Sequence, residues 1–378
     1  MTSEQLNLIK KLQDEVLNSL KNEFVAKDEI IDLMGLCLVA RENIFLYGPP
    51  GTAKSALVNG LAHRIQGRSF DYLLTRFTEP NELFGPFDIN KLREGELVTN
   101  TEGMLPQADI VFLDELLNAN SAILNSLLLA LNERIFRRGR ETTALPALTF
   151  AGASNHLPED ETLQALFDRF LIRVHCGPVP EGELGSVLTK GWVKEQQIET
   201  NHSISAEDVR TIQGLIPQVN LAPVQEAYLD IIAKLRSAGL ALSDRRAVRL
   251  QRIIAASALL CGRSEAKPSD LWVLKHTWDR SEQREVIASI VNTSLAGYEE
   301  EITDHPRSRP SHLPDAESLA ECLSQISKTL AEEANENEKA VALDQLQALS
   351  SRVSWLAPGV ARSELEEKIQ SLWPDSHA

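Results

Sequence analysis

A loop rich in glycine and proline follows the apolar segment Asn43 to Tyr47, and its residue types suit phosphate binding. In loops of the pattern G-x-x-x-x-G-K-[ST], backbone amides and a helix N-terminus hold phosphate oxygens, a lysine meets the phosphate charge, and a hydroxyl ligates Mg²⁺. The chain departs from this pattern at Ala53, which stands in place of the second glycine. The predicted nucleotide-binding residues are Gly48, Pro49, Pro50, Gly51, Thr52, Ala53, Lys54 and Ser55.

Two carboxylates come directly after a second apolar run, Ala108 to Leu113. A buried parallel strand would deliver Asp114 and Glu115 to its carboxyl end, where Asp114 can hold Mg²⁺ and Glu115 can polarise the attacking water. A helix that begins with Asp-Glu is the alternative, just as a plain Gly/Pro turn is the alternative for the first loop. Neither alternative accounts for both segments, so the pair favours a magnesium-dependent nucleotide hydrolase.

Two further polar residues follow in the chain. The apolar segment Leu148 to Ser154 ends at Asn155, whose amide could orient the attacking water beside the γ-phosphate. Arg169 lies between phenylalanines in the helix-like segment Leu163 to Phe170. An arginine in such a segment usually forms a surface ion pair, so a catalytic role for Arg169 depends on the other motifs.

These residues need strands that end at a common edge of one sheet. The carboxyl ends of parallel strands meet at one edge, and short apolar runs that alternate with helical segments are typical of such sheets. A further strand is predicted at Phe70 to Leu74, and a leucine-rich helix is predicted from Ser121 to Arg134. The sequence therefore predicts an α/β core with a parallel sheet.

Four segments occur in a fixed order along the chain: G-P-P-G-x-A-K-S, V-F-L-D-E, A-S-N and L-F-D-R-F. In this order they resemble the AAA+ ATPases, within them the MoxR group, and most closely its RavA-like branch. The similarity covers roughly residues 20 to 300. Members of this group often have A-K-[ST] in the loop, so Ala53 fits the resemblance.

The resemblance implies a role for each matched residue of the core. Gly48 to Ser55 corresponds to Walker A, and Asp114 and Glu115 end the Walker B segment. Asn155 corresponds to sensor 1. Ser55 and Asp114 would then hold Mg²⁺, and Glu115 would activate water.

Arginines complete the set that the resemblance implies. Arg169 corresponds to an arginine finger that reaches the γ-phosphate bound by the next subunit. The segment Leu242 to Ala247 corresponds to sensor 2, which contacts the nucleotide of its own chain. Either Arg245 or Arg246 could serve as sensor 2, and we favour Arg245.

The same resemblance implies the cofactors and partners. ATP and Mg²⁺ are the expected ligands, and ATP hydrolysis would drive remodelling or chaperone-like activation of a client protein. The family implies a homo-oligomer in the form of a hexameric ring, and a partner that carries a von Willebrand factor type A domain.

Other functions differ in how well they fit the sequence. A P-loop GTPase would need a guanine-reading N-K-x-D, but the segment Asn90 to Arg93 lacks the aspartate and precedes Asp114. A nucleotide-dependent scaffold with incidental turnover is harder to exclude from sequence. A nucleic-acid translocase is disfavoured, because the formal net charge of −16 does not suit a surface that binds phosphate backbones.

Composition predicts a cytoplasmic protein. The four cysteines lie far apart, mostly in apolar contexts, as expected for reduced core residues. The first residues have no secretory signal pattern, and no apolar run approaches the roughly 18 residues that span a bilayer. The eight histidines do not cluster at ligand spacing, so we expect no metal site apart from Mg²⁺ with the nucleotide.

Changes in pattern along the chain predict three regions. Residues 1–180 form the α/β nucleotide-binding core with an amphipathic N-terminal helix, residues 181–303 form an all-helical lid, and residues 304–378 form a proline-containing linker and an acidic helical tail. The function of the tail cannot be predicted from its sequence.

Two segments of the core have an open assignment. Arg76 to Pro106 is long for a loop, and the resemblance identifies it as the helix-2 insert, a hairpin that faces a pore or substrate. An arginine cluster follows the predicted leucine-rich helix. It fits either a solvated hairpin tip or a surface at the pore or between subunits, and it contains Arg134, Arg137, Arg138 and Arg140.

Overall fold

A computed structural model describes residues 1–95, 97–138, 141–158, 160–196, 203–240, 242–298, 301, 303–308 and 360–372, together with isolated positions between 319 and 353. Arg140 of the arginine cluster, Cys322, and the linker residues Pro310 and Pro314 lie outside the described residues. Predictions at these four positions stay predictions.

Nine strands occur in the described part of the chain. They are β1 Ile44–Tyr47, β2 Ile65–Gln66, β3 Ser69–Leu73, β4 Ile110–Asp114, β5 Ile135–Arg138, β6 Glu141–Ala144, β7 Thr149–Ser154, β8 Ile172–His175 and β9 Ile204–Ser205. Five of them form the central sheet in the order β3, β4, β7, β1, β8, with every pair parallel. The predicted α/β core with a parallel sheet is confirmed.

The order of the strands explains how the predicted site residues meet. Strand β1 lies between β7 and β8, and its Ile44 pairs with Ala151 of β7 and Ile172 of β8. Strands β1, β4 and β7 are buried along almost their whole length, as expected for a parallel sheet covered on both faces. Their carboxyl ends bring the phosphate-binding loop, the paired carboxylates and Asn155 to one edge.

Fourteen α-helices are described. They are α1 Ser3–Lys11, α2 Ser19–Glu23, α3 Asp28–Ala40, α4 Lys54–Arg64, α5 Pro80–Phe84, α6 Ile89–Arg93, α7 Ser121–Glu133, α8 Glu161–Phe167, α9 Leu184–Gln196, α10 Ala206–Gln213, α11 Gln225–Ser237, α12 Asp244–Leu260, α13 Gln283–Leu295 and α14 Val360–Leu372. A π-helical segment, Leu12–Asn18, joins α1 to α2, and the segment Pro268–His276 is 3₁₀-helical.

The helices after β8 agree with the predicted helical lid. Its longest helix, α12, packs on α3 of the core, where Arg252 Nε donates to the Ala40 carbonyl at 2.9 Å. Gln213 at the end of α10 also reaches the core, because its Nε2 donates to the Leu38 carbonyl at 2.7 Å. The lid is therefore tied to the core at the amino-terminal edge of the sheet.

Two apolar cores are present among the described residues. One runs from Ile9 in α1 through the sheet to Leu295 in α13, so core and lid share it. The other lies in the tail, where Leu365 and Ile369 of α14 pack with residues that include Leu319. The separate tail core agrees with a distinct tail region, whereas the boundaries at 180 and 303 remain proposals. Among the described helices, none is long and apolar enough to cross a membrane.

Candidate active site

The phosphate-binding loop leaves β1 at a place where only glycine fits. The Gly48 amide donates to the Ser154 carbonyl at 3.1 Å, which joins the loop to β7. A Cβ atom on Gly48 would lie 2.1 Å from the Cys176 carbonyl oxygen, a distance that real Cβ atoms do not reach. The loop therefore starts from a fixed position between the ends of two strands.

Ala53 takes the conformation that glycine usually supplies. Its φ of 67° and ψ of 22° lie in the left-handed region, and it directly precedes α4. Gly51 also has a positive φ, of 79°. Residues in this region turn the neighbouring backbone amides towards one point, as phosphate-binding loops require. The departure from the pattern therefore changes the residue type but not the backbone geometry.

Lys54 is folded onto its own loop. It is the first residue of α4 and is buried, and its Nζ donates to the carbonyls of Gly48 at 2.7 Å and Pro49 at 3.0 Å. The Thr52 hydroxyl donates to the same Pro49 carbonyl at 2.9 Å. These bonds hold the ammonium group above the loop, where a phosphate oxygen would become its partner.

Ser55 and Asp114 supply oxygen ligands for Mg²⁺. The Ser55 hydroxyl donates to Asp114 Oδ2 at 2.8 Å, so α4 and β4 bring the two side chains together. A hydroxyl and a carboxylate oxygen are donors that Mg²⁺ prefers beside phosphate oxygens. The residues present therefore fit this ion, and no other group of three histidine, cysteine or acidic side chains in the described ranges could hold a metal.

Glu115 is held in a strained conformation beside that pair. Its φ is 48° and its ψ is 41°, and its amide donates to Asp114 Oδ1 at 2.9 Å. Within the described part of the chain, its Oε2 is buried and has no hydrogen-bond partner. A buried carboxylate oxygen without a partner is costly, so it needs a ligand or water at this place.

Asn155 follows β7 directly and is exposed. Because β7 lies between β4 and β1, the strand order brings Asn155 out between the carboxylates and the phosphate-binding loop. The structure thus gathers Lys54, Ser55, Asp114, Glu115 and Asn155 at the carboxyl edge of the sheet.

An aromatic and cationic wall beside the loop was not predicted. The Tyr47 ring lies 5.6 Å from the His175 ring and 6.2 Å from the Trp278 ring, between centroids. Lys27 Nζ donates to the Gly177 carbonyl at 2.6 Å. Burial, with the nearby charges of Arg284 and Lys27, lowers the pKa of His175.

Arg169 and Arg245 share one carboxylate. Arg169 Nη1 lies 3.2 Å from Asp168 Oδ2, and Arg245 Nη2 lies 2.5 Å from the same oxygen. Arg169 is adjacent to β8 at its amino-terminal end, and its carbonyl accepts from Asn43 Nδ2 at 2.8 Å. Asn43 precedes β1 and the phosphate-binding loop follows it, so the two arginines lie at the opposite edge of the sheet from Lys54.

The sequence assigns Arg169 to the neighbouring active site and Arg245 to its own. The structure instead brings the two side chains together, at the edge away from the chain's own loop. In this conformation Arg245 lies beside Arg169, and its assignment as sensor 2 stays a prediction. The sequence does not predict the contact between Arg245 and Asp168, because these residues are 77 positions apart and meet only when the lid packs on the core.

Arg246 is held inside the fold by hydrogen bonds. Its side chain is buried, and Nη1 donates to Asp279 Oδ1 at 2.9 Å while Nη2 donates to the Thr277 carbonyl at 2.5 Å. Arg173 of β8 joins the same group, with Nη1 2.9 Å from Asp279 Oδ1. Burial lowers the pKa of Arg173 to about 9. Arg246 is therefore part of the lid–core contact. Of the two arginines predicted as candidates for sensor 2, Arg245 is the exposed one, which favours it over Arg246.

Comparisons with known proteins agree with this geometry. A family model described as the MoxR domain in the MoxR-vWA-beta-propeller ternary systems matches residues 10–214, and a model of the AAA lid domain matches residues 224–291. The chain belongs to the MoxR family of AAA+ ATPases. The first match spans the core with both sheet edges, and the second spans most of the lid.

Relatives of this MoxR ATPase include an uncharacterised protein of Methanocaldococcus jannaschii, 34% identical over 80% of this chain and 78% of its own. The chaperone MoxR1 of Mycobacterium tuberculosis is 26% identical over 48% of this chain and 49% of its own. A solved structure of a candidate ATPase from Cytophaga hutchinsonii has a TM-score of 0.62 at 21% identity, and the match covers 78% of this chain and 96% of that one. At that identity the last match supports the fold alone.

The segment Arg76 to Pro106, predicted to be the helix-2 insert, contains two short helices, α5 and α6, and an isolated antiparallel bridge between Phe87 and Thr99. The hairpin β5–β6 packs against it. Arg138 Nη1 donates to the Gly85 carbonyl at 2.7 Å, and its guanidinium lies 3.9 Å from the centre of the Phe87 ring. Arg134 packs over Phe150 at 4.5 Å. These two arginines make contacts within the fold, so the cluster is not simply a solvated tip.

Proposed function

We propose that this MoxR ATPase hydrolyses ATP with Mg²⁺ and couples hydrolysis to remodelling of a protein partner. The observation that carries the proposal is the meeting of Lys54, Ser55, Asp114 and Glu115 at one sheet edge, where Glu115 Oε2 has no hydrogen-bond partner among the described residues. Family membership supports ATPase and chaperone-like activity, and the geometry supports assigning the chemistry to these residues.

Each residue of this edge has a distinct task. Lys54 exchanges its two loop carbonyls for phosphate oxygens, so its charge meets the β- and γ-phosphates. Ser55 and Asp114 hold Mg²⁺, which neutralises charge that develops on the γ-phosphoryl group. Glu115 accepts the proton of the attacking water at Oε2, and Asn155 orients that water.

A second copy of the chain completes the site. Arg169 lies at the opposite sheet edge from its own loop, so it can stabilise the γ-phosphoryl charge only at a neighbour's nucleotide. Arg245 shares Asp168 with it, and we assign Arg245 to the same neighbouring site. An arrangement in which each chain offers one edge to the next gives a closed ring, and we propose a hexamer.

The proposed partner carries a von Willebrand factor type A domain. The matched family model is described from systems in which a MoxR domain occurs with such a protein, which supports this choice. Assignment to the RavA-like branch, activity in the cytoplasm, and the division into core, lid and tail at 180 and 303 belong to the same proposal.

Two substitutions test the chemistry. Lys54→Ala should abolish tight ATP binding because the charge at the β- and γ-phosphates is lost. Glu115→Gln should keep ATP binding and lose turnover, because an amide cannot accept the proton. Equilibrium binding and steady-state phosphate release measure the two effects.

An exposed residue on α6 provides the control, and Arg93→Gln should leave both quantities unchanged. Turnover at the parent rate in Glu115→Gln would show that another group is the base. A parent protein that binds ATP tightly and releases no phosphate would favour the nucleotide-dependent scaffold.

A further inference from the structure

Five arginine side chains surround a cavity of about 520 Å³ beside the amino-terminal edge of the sheet. We call it the arginine cavity, and it is lined by Arg41, Glu42, Asn132, Glu133, Arg134, Arg245, Arg249 and Arg252. Five guanidinium groups face only two carboxylates here, in a protein whose formal net charge is −16. The cavity is therefore a local concentration of positive charge.

Three separate elements build this cluster. Arg41 ends α3 with a φ of 56°, and Arg134 ends α7 with a φ of 54°. This left-handed position usually belongs to glycine, so both arginines are held there at a conformational cost. Arg245, Arg249 and Arg252 are spaced four and three residues apart, which puts them on one face of α12.

Part of the hydrogen-bonding capacity of these arginines is used within the fold, since Arg41 donates to the Ala147 and Leu145 carbonyls at 3.4 Å, but their anionic partners are few. Arg249 Nη2 lies 2.5 Å from Glu42 Oε2, and Arg252 Nε lies 3.4 Å from Glu42 Oε1. Arg134 Nη1 is buried without a hydrogen-bond partner within the described part of the chain. Since a guanidinium carries five N–H donors, the single buried carboxylate of Glu42 cannot satisfy the cluster.

The arginines also repel one another. The pKa of Arg134 falls to about 9, mainly through burial and further through Arg41, Arg249 and Arg252, while Glu42 opposes the change. Burial, with Arg252 and Arg210, likewise lowers the pKa of Arg41. Arg134 stays charged at neutral pH, so an anion in the cavity would relieve the repulsion among these side chains.

The arginine cavity is connected to the proposed arginine finger, Arg169, by hydrogen bonds and by a shared carboxylate. Asn43 accepts from Arg134 Nη2 at 2.7 Å and donates to the Arg169 carbonyl at 2.8 Å. Arg245 lines the cavity and also pairs with Asp168, next to Arg169. The volume lies within the range of roughly 300–1,000 Å³ that holds small ligands.

We propose that the arginine cavity binds the triphosphate chain of a nucleotide. The planar fork of a guanidinium matches phosphate oxygens, and a chain of several phosphates can meet arginines from α3, α7 and α12 together. The nucleotide comes from free solution, because the proposed function leaves the triphosphate chain of a neighbour's nucleotide on the loop around that neighbour's Lys54.

The direct test uses the full-length Lys54→Ala chain, whose own loop no longer binds phosphate tightly. Inorganic tripolyphosphate is titrated at low ionic strength by calorimetry. We expect one saturable site per chain, weakened by added salt because screening reduces the attraction. ATP should displace the tripolyphosphate. Absence of saturable binding would overturn the proposal.

Matched variants in that background locate the binding. Arg252→Gln should weaken tripolyphosphate binding about tenfold or more, as loss of a charged hydrogen bond implies. Glu42→Gln should strengthen it, because it removes a competing anion and frees Arg249. Arg93→Gln, on exposed α6, should have no effect.

If the arginine cluster had only a structural role, Glu42→Gln would not strengthen tripolyphosphate binding. Unchanged binding in both Arg252→Gln and Arg249→Gln would place the anion elsewhere and overturn the proposal. Thermal unfolding of each variant checks that it is folded, and Arg252 is the safer site because its side chain is partly exposed.

A second arm identifies the source of the nucleotide. Chains with both Arg249→Gln and Arg252→Gln are mixed with Glu115→Gln chains under confirmed subunit exchange. If the double-variant chains are inactive alone and the mixture recovers ATP hydrolysis, the arginines act at a neighbour's loop, which would overturn the proposal. Hydrolysis at the parent rate by the double-variant chains alone supports a separate site for free nucleotide. The titration involves no hydrolysis, so a failure of the Glu115 assignment would leave its result intact.

Discussion

A methyl group at Ala53 distinguishes this phosphate-binding loop from the usual pattern. A left-handed conformation costs an alanine roughly 1–2 kcal/mol, and glycine would avoid this cost. Glycine would also give the unfolded chain more freedom, which offsets most of the gain. The loop can therefore use alanine with little net loss, but a larger or branched side chain should not fit.

We accordingly predict that Ala53→Val lowers the free energy of unfolding by about 1–3 kcal/mol, because a β-branched residue is an outlier in this region. Ala53→Gly should change it by less than about 1 kcal/mol and keep ATP binding. Denaturant unfolding measures both. Ala233→Val, exposed in α11, is the control for a valine in ordinary helical backbone, and an equal loss at both positions would contradict the prediction.

His305 should make stability depend on pH. It is buried against Trp272, with ring centroids 4.7 Å apart, and burial lowers its pKa to about 3. The unfolded chain takes up a proton near pH 6.5 whereas the folded chain resists it, so stability is full above that pH and falls as the pH drops towards 3.

Thermal unfolding between pH 7 and pH 4 measures this slope. His305→Gln should flatten it, and His63→Gln, which removes an exposed histidine, should not. Part of the slope should remain, since burial also lowers the pKa of His276 to about 4. Equal slopes in the parent and in His305→Gln would show that His305 does not titrate as argued.

Elements formed by local patterns were predicted well from sequence, and elements joined across the chain were not. The predicted strand Phe70 to Leu74 is found at Ser69–Leu73, and the predicted helix from Ser121 is α7. By contrast, Arg173 occurs in an ordinary strand alternation, and only folding brings it to Asp279. Arg249 likewise looks like a solvated helix residue until α12 packs beside Glu42.

Arg173 makes β8 a connection between the sheet and the lid. It is fully buried, donates to the carbonyls of Thr277 and Trp278 at 3.2 Å, and lies 4.5 Å from the centre of the Phe167 ring. Arg173→Ala should cost about 3–5 kcal/mol, because it removes one partner of a buried ion pair and opens a void.

Denaturant unfolding checks this value. Arg280→Ala, an exposed arginine close to the same segment, should stay within about 0.5 kcal/mol of the parent. A comparable cost for both would mean that the buried network adds nothing to the lid–core contact.

The whole molecule presents two unlike edges of one sheet. The carboxyl edge holds Lys54, Asp114 and Glu115, and the amino-terminal edge holds Arg169 and Arg245. The motifs predicted which residues matter, but their order in the chain could not say that Arg245 joins Arg169. That fact depends on how the lid packs on the core.

Mixed assemblies test whether the two edges serve one reaction. Glu115→Gln and Arg169→Ala should each be nearly inactive alone, since an arginine finger contributes about 10³-fold or more to the rate. After subunit exchange, some interfaces pair an intact Glu115 with an intact Arg169, so phosphate release should recover and peak at intermediate ratios. Exchange without any recovery would mean that Arg169 acts within its own chain or is structural.

Helix α12 has a mechanical consequence. Its 17 residues form a stiff rod about 25 Å long, with Arg245 near one end. At the other end, the Leu260 carbonyl accepts a hydrogen bond from Gln13 Nε2 at 2.5 Å. A displacement of Arg245 by a neighbouring copy should therefore move the other end of α12 and, through Gln13, the N-terminal helical segment. A change at the neighbour's nucleotide would in this way alter the position of that segment.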